Sequence, residues 1–332
     1  MANKKKRPTL QDIADRVGVT KMTVSRALRD PSLVSEAVRA KIDQVTDELG
    51  YIPNRAPDML ANAKSKVIGV LVPSLTNQVF AEVIRGIESV TSPSGYQTMI
   101  AHYGYSEQRE QESIESLLSY NVDGIILSEN VHTDKARKML ETASIPVVEI
   151  MDSRTPHIEQ AVGFDNLQAS KDITEHMLNK GCRKIAYFAA RMDARTQQKM
   201  AGYREAMLES GNEPFNLQTE EASSFTLGAD LLQRLLREHP DADGIVCTND
   251  DLAIGALFEC QRLGIEVPGR ISIAGFHGLD ISQAMVPKLT TVVTPREDIG
   301  TVAAQQLIAR LRGEEDWQPS IDLGYRLQLG ES

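Results

Sequence analysis

The stretch LQDIADRVGVTKMTVSRALR, residues 10–29, has the spacing of two short helices joined by a tight turn. Ala14 is small at the place where the second helix would cross the first, and Gly18 permits the positive φ that the turn requires. Val24 would fill the angle between the helices, and Thr20 is a suitable N-cap for the second one. Together these residues predict a helix-turn-helix, which places its second helix in the major groove of DNA.

The flanking residues extend this motif to a three-helix head. Four apolar side chains recur at helical spacing and would form most of its core: Leu10, Ile13, Val17 and Leu28. Ser35 can cap a third helix over residues 36–49, which Gly50 would close. Residues 51–66 are a connector, in which Pro57 is tolerable only in the first turn of a short helix that runs to about residue 63.

The charge of the chain is unevenly distributed. Residues 1–66 hold 13 lysines and arginines against 8 acidic residues, whereas the remainder holds 23 against 38, so that the net charge is −10. A run of cations, Lys4, Lys5, Lys6 and Arg7, precedes the first helix as a basic arm. A small basic head on a large acidic body suits a head that binds a polyanion and a body that avoids unspecific association.

Composition and cysteine usage set the broad class of the protein. The 332 residues, 41% hydrophobic and 25% charged, are too many for one ordinary core and predict two or three domains. Cys182, Cys247 and Cys260 have neither metal-ligand nor disulfide spacing. The start MANKKKRPTL lacks the apolar stretch of a signal peptide, and no run of about 20 apolar residues follows. We therefore expect a cytoplasmic protein without a membrane span, a metal or a cofactor.

From Val67 onward, short apolar runs alternate with amphipathic helical stretches. The runs cover residues 67–73, 96–103, 123–128, 146–151, 184–190, 243–248 and 271–276. Runs that are apolar on both faces are typical of buried parallel strands covered by helices. They predict two similar doubly wound units, 67–163 and 164–290, with a tail that packs back onto both. The first strand leads into PSLTN and not into a glycine-rich phosphate loop, so we expect no enzyme.

Read in full, the chain resembles the lactose-repressor family from end to end. The resemblance rests on TLQDIADRVGVTKMTVSRALRDPSLVS, the connector YIPNRAPDMLA, and the motifs FDN (164–166), CTNDDLAIGA (247–256) and AGFHG (274–278). It implies an N-terminal three-helix helix-turn-helix domain with a hinge helix, followed by a two-lobed α/β core like periplasmic sugar-binding proteins, with two doubly wound parallel sheets. It also implies a homodimer on a palindromic operator, and the absence of a heptad tail after Leu323 favours a dimer over a tetramer.

The resemblance divides the chain into three parts. Residues 1–50 would form the DNA-binding domain and residues 51–66 the hinge. Residues 67–332 would form the effector-binding and dimerisation core. Within that core we assign about 67–163 and 295–320 to the N-lobe, and about 164–292 and 321–332 to the C-lobe.

The residues that would contact DNA lie on the second helix and in the connector. The start of the second helix would read bases through Lys21, Met22 and Arg26. Phosphates would be bound by Thr20, Thr23 and Ser25 and, by their match to the family, by Tyr51 and Asn54. Leu60 matches the leucine that the family inserts into the minor groove. The chain departs from the family just before it, because Pro57 and Asp58 replace the common Ala-Arg pair and Asp58 cannot donate to DNA.

The effector-binding residues follow from motif matching. After the first strand these are Ser74, Asn77 and Phe80, and in the second lobe Asp165, Arg195, Lys199, Asn249 and His277. Lys199 stands where the family often has Arg, and His277 where it often has an Asp that holds sugar hydroxyls. Replacing that carboxylate with His removes a charge that would repel an anion, and the ring can act either neutral or protonated. These departures favour a sugar acid over a neutral sugar.

The predicted function is a repressor of sugar-acid utilisation that an anionic effector releases from its operator. The segment LVPSLTNQVFAEV (71–83) is similar to regulators of gluconate utilisation in this family, so we expect gluconate as the effector. Four alternatives stay open on the sequence: another sugar acid as effector, a phosphorylated sugar acid, control by a protein partner, or an activator in place of a repressor. The residues alone favour neither an inducer nor a co-repressor.

Overall fold

The computed structural model describes residues 7–54, 64–154 and 158–332. The chain forms two compact units, Met1–Ser65 and Lys66–Ser332. The short hinge helix that the sequence predicts up to about residue 63 lies outside the described residues, and so does most of the basic arm.

The head contains the predicted helix-turn-helix. Helix α1 (Leu10–Val17) begins with a reciprocal cap: the Thr9 hydroxyl accepts from the Asp12 N–H, and the Asp12 carboxylate accepts from the Thr9 N–H at 2.7 Å. Gly18 ends the helix at φ 77°, a conformation that side chains with a Cβ rarely adopt. Helix α2 (Lys21–Arg29) begins at Thr20, whose hydroxyl accepts from the Thr23 N–H at 3.1 Å.

The third helix covers the residues that the sequence predicts, but its cap differs. Helix α3 (Glu36–Leu49) follows a 3-10 turn at Pro31–Leu33 and ends at Gly50 with φ 59°. Ser35 occupies the N-cap position, yet its hydroxyl makes no cap hydrogen bond. The Val38 and Arg39 N–H groups donate to the Ser35 backbone carbonyl instead, at 3.0 and 2.9 Å. The head encloses a small core whose buried members are Ile13, Ala14, Val24, Ala27 and Ile42.

The second unit contains twelve strands and nine helices among its described residues. Its strands are β1 (Val67–Val72), β2 (Gln97–His102), β3 (Gly124–Leu127), β4 (Val147–Ile150), β5 (Gln160–Gly163), β6 (Ile185–Ala190), β7 (Phe215–Thr219), β8 (Gly244–Cys247), β9 (Ser272–His277), β10 (Thr290–Val293), β11 (Ser320–Asp322) and β12 (Arg326–Gln328). Its helices are α4 (Gln78–Thr91), α5 (Glu107–Ser119), α6 (Asp134–Ala143), α7 (Asn166–Asn179), α8 (Ala194–Glu209), α9 (Phe225–Glu238), α10 (Asp250–Leu263), α11 (Ile281–Ala284) and α12 (Arg296–Leu311).

The strands form two six-stranded sheets, one in each lobe. The N-lobe sheet has the order β11-β5-β4-β3-β1-β2 and is parallel throughout. The C-lobe sheet has the order β12-β10-β9-β8-β6-β7, in which only the edge strand β12 runs antiparallel to its neighbour. The prediction of a two-lobed core with two doubly wound parallel sheets is confirmed. Among the described strands, the β12–β10 pair is the single exception to parallel pairing.

The chain crosses between the lobes before α7, before α12 and between β11 and β12. Helix α12 returns to the N-lobe and packs on α4 through two glycines. A Cβ on Gly86 would lie 2.1 Å from the Glu297 carbonyl oxygen, and a Cβ on Gly300 equally close to that of Val83. One predicted boundary is corrected, because β11 keeps residues 321 and 322 in the N-lobe sheet by pairing with β5.

The described parts of the chain contain neither a candidate membrane-spanning helix nor a candidate metal-binding cluster. None of the helices found there is both long and apolar enough to span a bilayer. Nor do histidines, cysteines and acidic residues there gather in groups of three or more that could bind a metal.

Candidate functional site

The exposed face of α2 carries the side chains predicted to read DNA. Lys21, Met22 and Arg26 are exposed, and Met22 has 62% of its surface accessible although it is apolar. Val24 and Ala27, on the opposite face, are buried in the head. An exposed methionine flanked by two cations suits a surface that meets base edges and thymine methyl groups.

The residues predicted to contact phosphates lie around this face and after α3. Thr20 is exposed, whereas Thr23 and Ser25 are half-buried, and Thr20 and Thr23 share a hydrogen bond of 2.9 Å between their hydroxyls. Tyr51 is half-buried and Asn54 is exposed. Leu60, the predicted minor-groove residue, lies outside the described residues together with Pro57 and Asp58.

The second unit has a cavity between its lobes, at the carboxyl ends of β1, β6, β8 and β9. Helices α4, α8 and α10 begin there, so three helix N-termini with their positive dipole ends face it. In sheets of this type ligands bind at this edge. The predicted effector residues that line the cavity are Asn77, Phe80, Arg195, Lys199, Asn249 and His277.

Lys199, on α8, is the most unusual group in the cavity because it is buried and has no ion-pair partner among the described residues. Its Nζ atom donates to the Thr248 carbonyl oxygen at 3.2 Å and lies 4.0 Å from the centre of the Phe276 ring. No carboxylate of the described chain forms an ion pair with it. Burial lowers the pKa of Lys199 to about 7; the Asp193 carboxylate opposes this, and the charge of Arg195 adds to it.

His277 forms the wall next to Lys199, at the end of β9. Its Nε2 atom lies 3.3 Å from the Lys199 Nζ and its Nδ1 atom 3.4 Å from the Thr294 hydroxyl. Burial, reinforced by the charges of Lys199 and Arg296, lowers the pKa of His277 well below 6.5. Of the two states that the sequence leaves open, burial therefore favours the neutral ring, which can accept from Lys199.

Polar groups at the helix starts and one apolar side chain complete the cavity wall. Asn77 caps α4 and its amide donates to the Tyr105 hydroxyl at 3.3 Å. Asn249 caps α10 and its amide donates to the Ser223 hydroxyl at 2.6 Å. Phe80 is buried and presents its ring from α4. Ser74 does not line the cavity. Its hydroxyl accepts from the Asn77 N–H at 3.2 Å and so holds the loop between β1 and α4.

Asp165, which the sequence assigns to the effector site, lies outside the lining of the cavity. Its carboxylate caps α7 by accepting from the Gln168 N–H at 2.9 Å and pairs with Arg154 at 3.5 Å. Arg154 is thus the basic partner of Asp165, and a side chain that stands directly before a helix is well placed to cap it.

Arg195 lines the cavity, but its guanidinium points to the other lobe. It donates to the Ser128 carbonyl oxygen and, at 2.7 Å, to the Glu129 carboxylate, both of which follow β3 in the N-lobe. Its neighbour Arg191 also lines the cavity and stacks over the Tyr105 ring at 4.5 Å.

Three acidic side chains at the cavity were not among the predicted site residues: Asp193, Asp250 and Asp251. Asp250 is fully buried and accepts from the Leu279 N–H at 2.6 Å and from the Thr291 hydroxyl at 2.7 Å. Burial raises its pKa to about 7, although those hydrogen bonds oppose the shift. The signal in the sequence was the run Asn-Asp-Asp directly after the β8 strand.

Two family models match the chain. The model of bacterial regulatory proteins of the lacI family matches residues 9–54, and that of periplasmic binding proteins and the sugar-binding domain of the LacI family matches residues 65–321. The chain belongs to the LacI family. This finding confirms the predicted resemblance and identifies the α2 surface as part of the DNA-binding domain of a LacI-family regulator.

The relatives of this LacI-family chain are transcriptional regulators. It is 58% identical to the HTH-type transcriptional regulator GntR of Escherichia coli K12 over 99% of both chains. A LacI-family regulator from Silicibacter pomeroyi has the same structure with a TM-score of 0.92 at 33% identity, covering 98% of this chain and 99% of that one. The lactose repressor dimer bound to operator and an anti-inducer shares the fold, with a TM-score of 0.86 at 24% identity over 98% and 99%. The chain is thus a DNA-binding regulator and not an enzyme, as the sequence predicts.

Proposed function

We propose that this chain represses genes of gluconate utilisation and that gluconate, bound in the cavity between the lobes, releases it from its operator. The observation that carries the proposal is the buried amine of Lys199, which has no carboxylate partner within the part of the chain that the structure describes. A buried cation is costly unless it is paired, and the carboxylate of a sugar acid would supply the missing partner. The similarity to GntR supports the same assignment.

The remaining groups of the cavity suit a polyhydroxylated chain. Asn77 and Asn249 offer amides that both donate to and accept from hydroxyls, and the ring of Phe80 offers an apolar surface to the carbon chain. Asp193 and Asp251 can accept from hydroxyls but would repel a second negative charge. These two carboxylates therefore favour a sugar acid with a single negative charge over a phosphorylated sugar acid.

The DNA-binding role is assigned to the head and the connector. Lys21, Met22 and Arg26 would read bases, while phosphates would be bound by Thr20, Thr23, Ser25, Tyr51 and Asn54. Leu60 would enter the minor groove. The exposure of α2 supports the first of these roles. We keep the proposed division into head (1–50), hinge (51–66) and core (67–332), with the lobe boundary moved to include β11. In a bacterium this activity would be located in the cytoplasm.

A homodimer on a palindromic operator is the assembly that we propose. Exposed apolar side chains on α10, α11 and the loop that follows support it: Phe258, Ile281 and Val286 are 43%, 38% and 78% accessible. The Gln261 amide donates to the Val286 carbonyl oxygen at 2.5 Å, so α10 and this loop form one surface. Large apolar side chains left exposed on neighbouring elements are typical of protein interfaces.

The proposal requires only a moderate coupling between the two ligands. An effector that changes operator affinity 5- to 150-fold needs a coupling free energy of about 1–3 kcal/mol. Such a coupling arises when gluconate binds the arrangement of the lobes that has low operator affinity better than the arrangement that has high affinity.

The test is a fluorescence-anisotropy titration of a palindromic operator duplex at fixed salt, without and with gluconate. Release of the DNA by gluconate, and not by glucose, is the expected result. Unchanged operator binding in saturating gluconate would contradict the effector assignment and would move the search to other sugar acids, phosphorylated sugar acids or a protein partner. Failure to bind any operator duplex would contradict the DNA-binding assignments.

A further inference from the structure

Two neighbouring side chains on one face of helix α8 have different surroundings: one faces the cavity and the other contacts the N-lobe. Arg195 and Lys199 are four residues apart and therefore lie on the same side of the helix. Lys199 faces the cavity, whereas Arg195 reaches across to Ser128 and Glu129 of the N-lobe. A ligand that pairs with Lys199 thus acts on a helix that is also fastened to the opposite lobe.

The contact between Arg195 and Glu129 is largely buried and includes a third side chain, Tyr103. The Glu129 carboxylate accepts from Arg195 Nη2 at 2.7 Å and from the Tyr103 hydroxyl at 2.5 Å. The side chains of Arg195 and Glu129 are 11% and 13% accessible, and Tyr103 is buried. Burial raises the pKa of Glu129, while the charge of Arg195 acts to lower it. Removing either partner would leave the other charge poorly solvated.

A second bond between the lobes lies one turn further along α8. The Gln198 amide donates to the Asp152 carboxylate at 2.6 Å, and Asp152 also accepts from the Asn130 amide of the N-lobe at 2.8 Å. Residues 128–130 are therefore held both by α8 directly and through Asp152. In contrast, the Lys171–Glu209 pair, which links α7 to α8 at 2.6 Å, stays within the C-lobe.

We infer that Arg195 is a positioning residue whose ion pair with Glu129 transmits effector binding at Lys199 to the N-lobe, the lobe that follows the connector. This inference rests on the proposed function for the identity of the effector. It replaces the expectation that Arg195 binds the effector itself. Arg195 and Glu129 set the separation between the N-lobe half of the cavity, with Asn77 and Phe80, and the C-lobe half, with Lys199.

The test compares Arg195→Met, Glu129→Gln and the double variant with the wild type, all as the full chain. Lys171→Met is the matched control, since it removes an ion pair of α8 that does not reach the N-lobe. Calorimetry gives the gluconate affinity, and operator titrations with and without gluconate give the coupling factor. We expect both single variants to keep gluconate affinity within about threefold of wild type while the coupling factor falls most of the way towards 1. The double variant should resemble either single one, because all three lose the same interaction.

Two results would overturn the inference. One is a coupling factor that stays at the wild-type value in both Glu129→Gln and Arg195→Met. The other is a loss of gluconate affinity in Arg195→Met that Glu129→Gln does not share, which would make Arg195 a direct ligand. Glu129→Gln keeps the shape of the side chain and therefore serves if Arg195→Met fails to fold.

A third measurement, hydrogen exchange, does not depend on the effector. Without gluconate, Glu129→Gln should raise hydrogen exchange at residues 128–130 and in the first turn of α8 together, by about fivefold or more, whereas Lys171→Met should not. Failure of gluconate to release the wild type would contradict the proposed function alone. Unchanged exchange in Glu129→Gln would contradict the Arg195–Glu129 contact as the connection between the lobes.

Discussion

The Nζ atom of Lys199 lies 3.3 Å from the Nε2 atom of His277, so that two groups able to carry positive charge share one wall of the cavity. At most one of them is charged near neutral pH, because burial lowers the pKa of His277 well below 6.5 and that of Lys199 to about 7. The neutral ring accepts from the ammonium and orients it. At pH 7 the pair therefore carries its positive charge on Lys199, in about half of the molecules, and this charge faces a ligand in the cavity.

Replacing this cation should weaken gluconate binding without weakening DNA binding. In Lys199→Met the charge-assisted hydrogen bond to the ligand carboxylate is lost, which corresponds to about 1.5–3 kcal/mol or a roughly 10- to 150-fold weaker affinity. Calorimetry measures this loss, and an operator titration without effector checks the DNA affinity. Lys171→Met removes the same charge outside the cavity, and its gluconate affinity should match wild type. Equal losses in the two variants would mean that overall charge is responsible.

Gluconate affinity should fall as the pH rises through 7. The carboxylate pairs with the protonated form of Lys199 and so raises its pKa in the complex, and binding above the free pKa of about 7 therefore takes up a proton. We expect the strongest binding near pH 6 and up to about a tenfold loss per pH unit above 7. Calorimetry in buffers of different ionisation enthalpy counts the protons.

Other charged groups around Lys199 require a control for this pH dependence. Asp193, Arg195, Arg191 and Asp250 act on its pKa, and Asp250 itself titrates near 7. Lys199→Met separates them, since its residual gluconate binding should lose most of the proton uptake. Proton uptake that persists in full would assign the effect to other titratable groups of the cavity, among them Asp250, Asp251 and His277.

Much of the fold could be predicted from the sequence because local chemistry decides it. Strands buried on both faces, such as β1 and β6, are continuous apolar runs, and α3 is marked by its apolar spacing and by Gly50. The strands that the sequence missed lack that signal. Strand β7, Phe215–Thr219, is a half-exposed edge strand, and β5, Gln160–Gly163, is short and begins with a buried glutamine that bonds to Gln306.

The site was predictable where a side chain follows a strand and faces the cavity by itself. Asn249, which follows β8, and His277, which ends β9, are of this kind, whereas Lys199 lies within α8 and its prediction rests on the match to the family motif. Arg195 was assigned to the ligand because its partner, Glu129, is 66 residues away, and only the packing of two lobes brings them together. Asp250 was passed over because its role depends on the Thr291 hydroxyl of β10, a strand that the sequence did not indicate.

On the DNA side, Arg26→Ala should lower both the affinity and the specificity for the operator. A bidentate contact from an arginine to guanine contributes about 1–3 kcal/mol of discrimination. We expect a loss of about that size on the operator and a smaller one on a scrambled duplex, measured by anisotropy at one salt concentration. Lys41→Ala is the control, because Lys41 is also an exposed cation but lies on α3. Parallel losses of Arg26→Ala on both duplexes would make Arg26 a phosphate contact.

A buried charge cluster in the N-lobe, away from the cavity residues, should make stability depend on pH. His132 lies between two carboxylates, with Nδ1 3.1 Å from Glu110 and Nε2 2.8 Å from Glu149, and the three side chains are 0–1% accessible. Burial acts to lower the pKa of His132, but the hydrogen bonds and charges of the two carboxylates outweigh it and raise the pKa to about 9. The ring is therefore protonated at neutral pH and neutralises part of the charge of its neighbours.

Replacing this histidine should destabilise the core in a pH-dependent manner. The shift from 6.5 to about 9 corresponds to about 3 kcal/mol of stability. Because the folded pKa is the higher one, this contribution is complete below pH 6.5 and is lost as the pH rises towards 9. His132→Gln should therefore unfold in urea with a free energy lower than wild type by about 3 kcal/mol at pH 6.5, and the difference should shrink by pH 9.5. Adding Glu110→Gln should restore part of the stability, because it removes one unpaired buried carboxylate. A wild-type advantage of equal size at both pH values would mean that packing, and not the protonated ring, stabilises the cluster.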